Sequence, residues 1–267
     1  MNYPIIDCHC HIYPDKIADR AVRGIADFYD LAMYHDGRYS SLIESGNKIG
    51  VKHYVVFSVA TTPHQVNSIN TFIADTVKKS NGLLTGLGTL HPDSYEIEKD
   101  IEKIKELGLK GIKLHADFQK FCIDDPKCDR IYSLCEGVFP VLLHTGDIRY
   151  DFSNPDRVKN VLEKHKNLTV IGAHFGGWSC WKEAAEKLHD YENFYVDCCS
   201  TFNWLPPCEV RELIRLYGAD KVVFGTDFPM WSHEEEYKAF KSMKLTQEEE
   251  EKILYKNAMK LFSIEKI

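Results

Sequence analysis

Ile5-Ile6-Asp7-Cys8-His9-Cys10-His11 stands near the start of the chain, and its apolar pair runs straight into His-x-His. In a β-strand alternate side chains share a face, so this stretch predicts Asp7, His9 and His11 on one side and Cys8 and Cys10 on the other. Two imidazoles on one strand face can reach the same metal ion, and neutral imidazole is a common zinc ligand. A surface strand with chance histidines would read the same way. The rest of the chain has to decide, because a metal centre needs three or four ligands.

The chain has 267 residues, a length at which (β/α)8 barrels are common. Its hydrophobic fraction of 44% is enough for a sizeable core. Lysine and arginine total 33 against 40 acids, for a net charge of −7, and no basic cluster stands out. That argues against a nucleic-acid surface. No apolar run is long enough to span a bilayer, and residues 1–4 lead directly into the first strand with no room for a signal peptide. The expectation is therefore a cytoplasmic protein with no membrane partner. Nine cysteines is an odd number, none forms Cys-x-x-Cys, and Cys198 and Cys199 are adjacent. They read mostly as small buried hydrophobes, not as disulfides.

Beyond His11 the pattern alternates. Helices are expected at 17–31 and 41–49, then a buried strand at 51–59 and a helix at 67–79 carried by Ile69, Phe72, Ile73 and Val77. Strand and helix follow at 83–90 and 95–107, 110–115 and 129–136, and 140–144 and 155–165, the last helix opening on Pro155. The series continues with 168–174 and 181–189, then 193–198 and 207–217. A last strand at 221–227 precedes helices beginning near 234 and 246. Eight near-continuous apolar strands alternating with helices predict a parallel sheet buried on both faces, closed as a (β/α)8 TIM barrel of the α/β class. A doubly wound open sheet would be expected to carry Gly-x-Gly-x-x-Gly after a strand, and none occurs. With no linker, low-complexity tract or repeat, residues 1–267 are expected to form one domain.

Polar residues gather at the carboxyl ends of these strands: His9 and His11, Lys113 and His115, His144, His174 and Asp227. One such histidine is ordinarily a packing residue. A barrel brings all the strand ends to one mouth, where catalytic sites of this fold lie, so together they point to a metal site.

The same residues carry a resemblance. His9-x-His11, Leu143-His144-Thr145-Gly146, Gly172-Ala173-His174-Phe175-Gly176-Gly177 and Phe224-Gly225-Thr226-Asp227-Phe228-Pro229 resemble the amidohydrolase superfamily. Within it they are similar to the amidohydrolase-related group of metal-dependent barrels that includes aminocarboxymuconate-semialdehyde decarboxylase. The closing stretch Asn257-Ala258-Met259-Lys260-Leu261-Phe262 fits as well, so the likeness covers nearly the whole chain. It implies that His9, His11, His144 and Asp227 hold one divalent ion, Zn²⁺ first, with Mn²⁺ and Fe²⁺ as alternatives.

In such a site a bound ion lowers the pKa of its water to about 7, Asp227 can ligate and accept that proton, and His174 can donate to or polarise the substrate. A turn-stabilising aspartate and a histidine bonded to a backbone carbonyl are the plainer readings of these two residues. In binuclear members of the superfamily a strand-4 lysine is carboxylated and bridges two metals. Lys113 is therefore either such a bridge or an uncarboxylated lysine at the mouth, beside His115 on the same strand face. Trp178, Trp181, Trp204 and Trp231 all follow strands 6 to 8 and read either as pocket wall or as rim packing. Arg149 and Asp151 either meet a substrate carboxylate or are solvated loop charges. Lys113, His115, Arg149, Trp178 and Trp204 are the expected substrate-binding set.

The reaction expected first is metal-dependent hydrolysis of a small amide, lactone or ester. The alternative is non-oxidative decarboxylation or hydration of an unsaturated or aromatic carboxylic acid. The expected partner is a small-molecule substrate, with a homodimer left open.

Overall fold

The computed structural model describes residues 3–267; Met1 and Asn2, part of the expected leaderless start, lie outside the described residues. Parallel strands run β1 (Ile5–His11), β2 (Val51–Phe57), β3 (Leu84–Gly86), β4 (Gly88–Thr89), β5 (Ile112–His115) and β6 (Val141–His144). They continue with β7 (Val170–Gly172), β8 (Phe194–Asp197) and β9 (Val222–Val223). Every neighbour in the orders β1-β2-β3 and β4 to β9 pairs in parallel. The expected third strand is interrupted at Leu87, so β3 pairs with β2 while β4 pairs with β5, and the two arcs are one barrel wall. The other seam closes where Cys8 N–H donates to Phe224 O at 2.9 Å and His11 N–H to Phe228 O at 2.7 Å. The protein is a (β/α)8 barrel.

The expected helices form, with shifted ends. Helix α1 (Asp15–Tyr29) and α2 (Tyr39–Asn47) separate β1 from β2, and α3 (Val66–Lys79) and α4 (Ile97–Glu106) follow β2 and β4. A single turn, α5 (Ala116–Gln119), extends β5 and was not expected from the sequence. Helix α6 (Pro126–Cys135) starts three residues before position 129 because the Asp125 side chain accepts the Lys127 N–H and caps it. Helices α7 (Pro155–Lys164), α8 (Trp181–Leu188), α9 (Pro207–Tyr217), α10 (His233–Ser242), α11 (Gln247–Glu251) and α12 (Asn257–Phe262) complete the ring. Among the described residues no helix is long and apolar enough to cross a membrane.

Two apolar layers hold the barrel. Ile6, Val55, Leu142, Ile171 and Val223 fill its interior, where Ala258 and Phe262 of α12 join them. The larger layer packs strands against helices. Cys8 corrects the expected alternation. It lies in the interior with Ile6, whereas Cys10 lies in the outer layer with Ile5. The register of β1 against β2 slips between Asp7 and Cys10. One slipped residue reverses every later side chain, so Asp7 does not share a face with His9. All nine cysteines are free.

Candidate metal centre and active site

The slip turns His9 into the mouth and buries Asp7 behind it. Asp7 Oδ1 accepts the backbone N–H of His9 at 3.1 Å and of Thr226 at 3.0 Å, and its Oδ2 accepts the Thr226 hydroxyl at 2.5 Å. One carboxylate thus fixes the backbone beside both His9 and Asp227. Gly225 completes the fit, because a Cβ there would lie 2.9 Å from His9 Cβ. His174, Phe175, Ser200 and Asp227 all take positive φ, a conformation costing about 1–2 kcal/mol for each non-glycine residue. Such backbone clusters where a site needs it.

Donor atoms of His9, His11 and Asp227 lie within 4.8 Å of one another. His9 Nε2 is 3.3 Å and His11 Nε2 3.7 Å from Asp227 Oδ1. Two donors bound at about 2.1 Å in a tetrahedral centre stand roughly 3.4 Å apart, so this spacing suits a divalent ion. Hydrogen bonding fixes the tautomer: His9 Nδ1 lies 2.8 Å from Asp197 Oδ2, so Nδ1–H donates there and the Nε2 lone pair faces Asp227. Two acceptors across 3.3 Å require a proton or a cation between them. Burial, first of all, holds the His9 and His11 imidazoles well below their usual pKa, keeping them neutral. Burial likewise pushes the Asp227 carboxyl up to about 7, although the Ser200 hydroxyl donates to its Oδ2 at 2.5 Å. The donor set fits a divalent cation.

His144 sits apart from these three. Its Nδ1 is 3.1 Å from His174 Nε2, and its Nε2 is 3.4 Å from the Tyr29 hydroxyl and 3.8 Å from Asp117 Oδ2. His174 Nδ1 is 3.3 Å from the Cys199 carbonyl, and the Phe118 N–H donates to His115 Nδ1. One consistent set of tautomers follows: His115 Nε2–H donates to Tyr29, Tyr29 to His144, His144 to His174, and His174 to Cys199. His144 reaches a shared ion only by giving up the 3.4 Å contact with Tyr29, the longest in that chain. Asp117, between His115 and His144, keeps Oδ1 without a partner, and burial pushes its carboxyl up to about 7.

The expected substrate-binding set divides. His115 lines a cavity of about 790 Å³ together with His9, His11, His144, His174 and Asp227. Lys113 lies beneath that floor, fully buried, its Nζ without a hydrogen-bond partner and 5.3 Å from the centre of the Phe57 ring. Burial pulls its pKa down to about 8. Arg149 is committed elsewhere: it donates to both Asp147 oxygens and to Phe28 O, and lies over the Tyr29 and Trp178 rings. Asp151 pairs with Arg157. Trp178, Trp181 and Trp231 gather on Trp204 with ring centres 5.5 to 6.4 Å apart, none of the four lining the cavity. Trp231 still touches the site indirectly, donating to Ser200 at 2.8 Å.

Tyr29, Asp197, Ser200 and Asp117 were not singled out from the sequence, and Asp7 was named only as sharing a face with His9 and His11. Asp197 was legible as one more acid at a strand end. Tyr29 had no signal, since nothing in the pattern says that α1 walls the mouth while α2 packs on α10 outside.

Comparison with known proteins agrees with this architecture. Residues 6–264 match the family model described as amidohydrolase. The 2-amino-3-carboxymuconate-6-semialdehyde decarboxylase of Dictyostelium discoideum is 24% identical over an alignment of 204 residues, with 60% of this chain and only 55% of that protein covered. A dihydroxybenzoic acid decarboxylase of a Polaromonas species, solved with manganese and the inhibitor 2-nitroresorcinol, superposes with a TM-score of 0.77 at 17% identity, covering 100% of this chain and 98% of that one. A candidate 2-pyrone-4,6-dicarboxylic acid hydrolase of Pseudomonas putida superposes with a TM-score of 0.69 at 18% identity over the full length of both. At those identities the structures speak for the fold alone. The family match spans nearly the whole chain, and with the barrel and its histidine-lined mouth it shows that this protein belongs to the amidohydrolase family.

Proposed function

We propose that this chain is a divalent-metal-dependent enzyme that decarboxylates a small unsaturated or aromatic carboxylic acid without a redox cofactor. Its metal dependence is carried by the facing pair of acceptors, His9 Nε2 and Asp227 Oδ1, and the Tyr29 and Phe118 rings that line the cavity suit a flat unsaturated or aromatic acid. His9, His11 and Asp227 would hold the ion, Zn²⁺ or Mn²⁺, with His144 as a fourth ligand once it turns from Tyr29. The ion would supply the positive charge that gathers substrate oxygens and acidifies a coordinated water.

The chain's own groups do the rest. Asp197 orients His9 through Nδ1–H, and Ser200, itself held by Trp231, occupies Asp227 Oδ2 and leaves Oδ1 toward the cavity. Tyr29 and Phe118 wall off water around the substrate, which favours release of a neutral product from a carboxylate. The carbon–carbon bond to the carboxylate breaks, carbon dioxide leaves, and the electron pair on the remaining carbon takes a proton. That proton is drawn from water through Asp227, leaving hydroxide to the solvent, and neutral His174 would orient the substrate.

Hydrolysis of a small amide, lactone or ester is the second reading. It is favoured by Asp227 as an acceptor able to take a proton from water. The experiment is metal analysis followed by incubation, in H₂¹⁸O, with hydroxybenzoates, muconate-type acids and pyrone lactones. Carbon dioxide released in step with substrate loss supports decarboxylation. Label in a new carboxylate supports hydrolysis. Protein without metal after supplementation overturns both.

A further inference from the structure

The cavity is larger than a one-ring acid needs, and it does not end at the histidines. It continues outward between α1 and α3. On α1 its wall is Ile17, Ala21 and Ile25, and on α3 it is Ile69, Phe72 and Thr76. The first set recurs every four residues and the second at three and then four, so each helix presents one stripe to the same crevice. The cavity touches α1 from Lys16 to Tyr29, about 20 Å of helix at about 1.5 Å per residue. The Tyr29 hydroxyl stands at the histidine end, 2.9 Å from His115 Nε2. The end of α1 opposite Tyr29 carries Lys16 and Arg20, and Lys79 is the last residue of α3; all three line the cavity, as does Asp75. Neither hydrogen bonds nor ion pairs engage these three cations among the described residues, whereas Arg38 is held by Asp19 and Asp36. The crevice thus has an apolar stripe on each helix, is continuous with the metal centre, and carries three cations in its lining.

We propose that this outer limb is a substrate subsite that takes an apolar chain ending in an anionic group, a carboxylate or a phosphate. It rests on the metal-dependent reading above and deepens it: the substrate is an elongated acid whose reacting end lies at His9 and Asp227 and whose distal anion lies at Lys16, Arg20 and Lys79. Helix α1 then sets specificity at both ends, through Tyr29 near the reacting group and through its first turns at the tail. Gly24 also lines the crevice, with open space where a Cβ would stand.

The test uses hydroxamates as metal-seeking probes on the metal-loaded protein: acetohydroxamate, octanohydroxamate and suberic acid monohydroxamate, measured by calorimetry. Acetohydroxamate reads the metal centre alone. Each added methylene buried in the limb is expected to raise affinity about three- to fourfold. The terminal carboxylate of the suberate probe is expected to add a further few-fold that 0.5 M salt removes. Phe72→Ala should flatten the dependence on length without changing acetohydroxamate binding. The combined Lys16→Ala, Arg20→Ala, Lys79→Ala variant should remove only the carboxylate advantage, and Ala21→Phe should block the longer probes. Acetohydroxamate binding with no gain from length overturns the subsite and leaves the metal reading intact. If acetohydroxamate does not bind, the metal reading fails instead, and the series acetate, octanoate and suberate decides the limb. A gain with length that Phe72→Ala abolishes keeps the limb as a binding site, and a flat series overturns it.

Discussion

His9 Nε2 and Asp227 Oδ1 face each other across 3.3 Å, and among the described residues no N–H or hydroxyl donor stands between them. His9 has given its N–H to Asp197, and Ser200 donates to the other oxygen of Asp227. A cation is the natural third party. Purified protein is expected to carry about one equivalent of a divalent metal, and His9→Ala should lose it. Two equivalents by elemental analysis would instead favour the carboxylated Lys113 version.

Asp197 should matter to the metal without touching it. Groups that orient a ligating histidine typically contribute 10- to 100-fold to metal affinity or activity. Asp197→Asn is expected to weaken metal binding within about that range in competition with a chelator, while the circular dichroism stays unchanged. Unaltered affinity would show that the 2.8 Å bond to His9 is only structural.

The strand–helix order was readable because parallel barrel strands, buried on both faces, leave short apolar runs, and because the polar residues stand at their ends. The slip in β1 was not readable. Alternation counts residues, and a bulge adds one without leaving a sign in composition, so Cys8 and Asp7 were placed on the wrong faces. Arg149 looked available because sequence shows charge but not commitment, and its partner Asp147 lies only two residues away. Tyr29 depends on where α1 lies in space, which its own amphipathic pattern leaves open.

Asp227→Asn separates ligation from proton transfer. The amide keeps the shape and one oxygen ligand but cannot carry the proton, so metal is expected to be partly retained while turnover falls about 10²–10⁴-fold. His174→Asn should also lower turnover, with metal content near normal in a one-metal site. Loss of one equivalent out of two would place His174 in a binuclear centre.

Gly225→Ala tests the close approach of β9 to β1. The added methyl would stand 2.9 Å from His9 Cβ, so one of the two strands must shift. Overpacking of this kind costs about 1–3 kcal/mol. A lower melting temperature together with weaker metal binding is expected, since the displaced residue is itself in the donor set. A melting temperature matching the parent would mean that the barrel gives way elsewhere.

Glu236 offers a test by pH. Its side chain is buried on α10, Oε2 has no hydrogen-bond partner among the described residues, and the Asn203 amide donates to Oε1 at 3.4 Å. Burial first, then the fields of Asp227 and Asp7, hold this carboxyl well above its usual 4.5. The folded protein therefore keeps a proton here that the unfolded chain releases near 4.5, and stability falls as pH rises above that point. Glu236→Gln keeps the shape and never ionises. Its melting temperature should match the parent near pH 4 and exceed it increasingly toward neutral and alkaline pH. A constant difference across that range would show that Glu236 enters the fold already ionised.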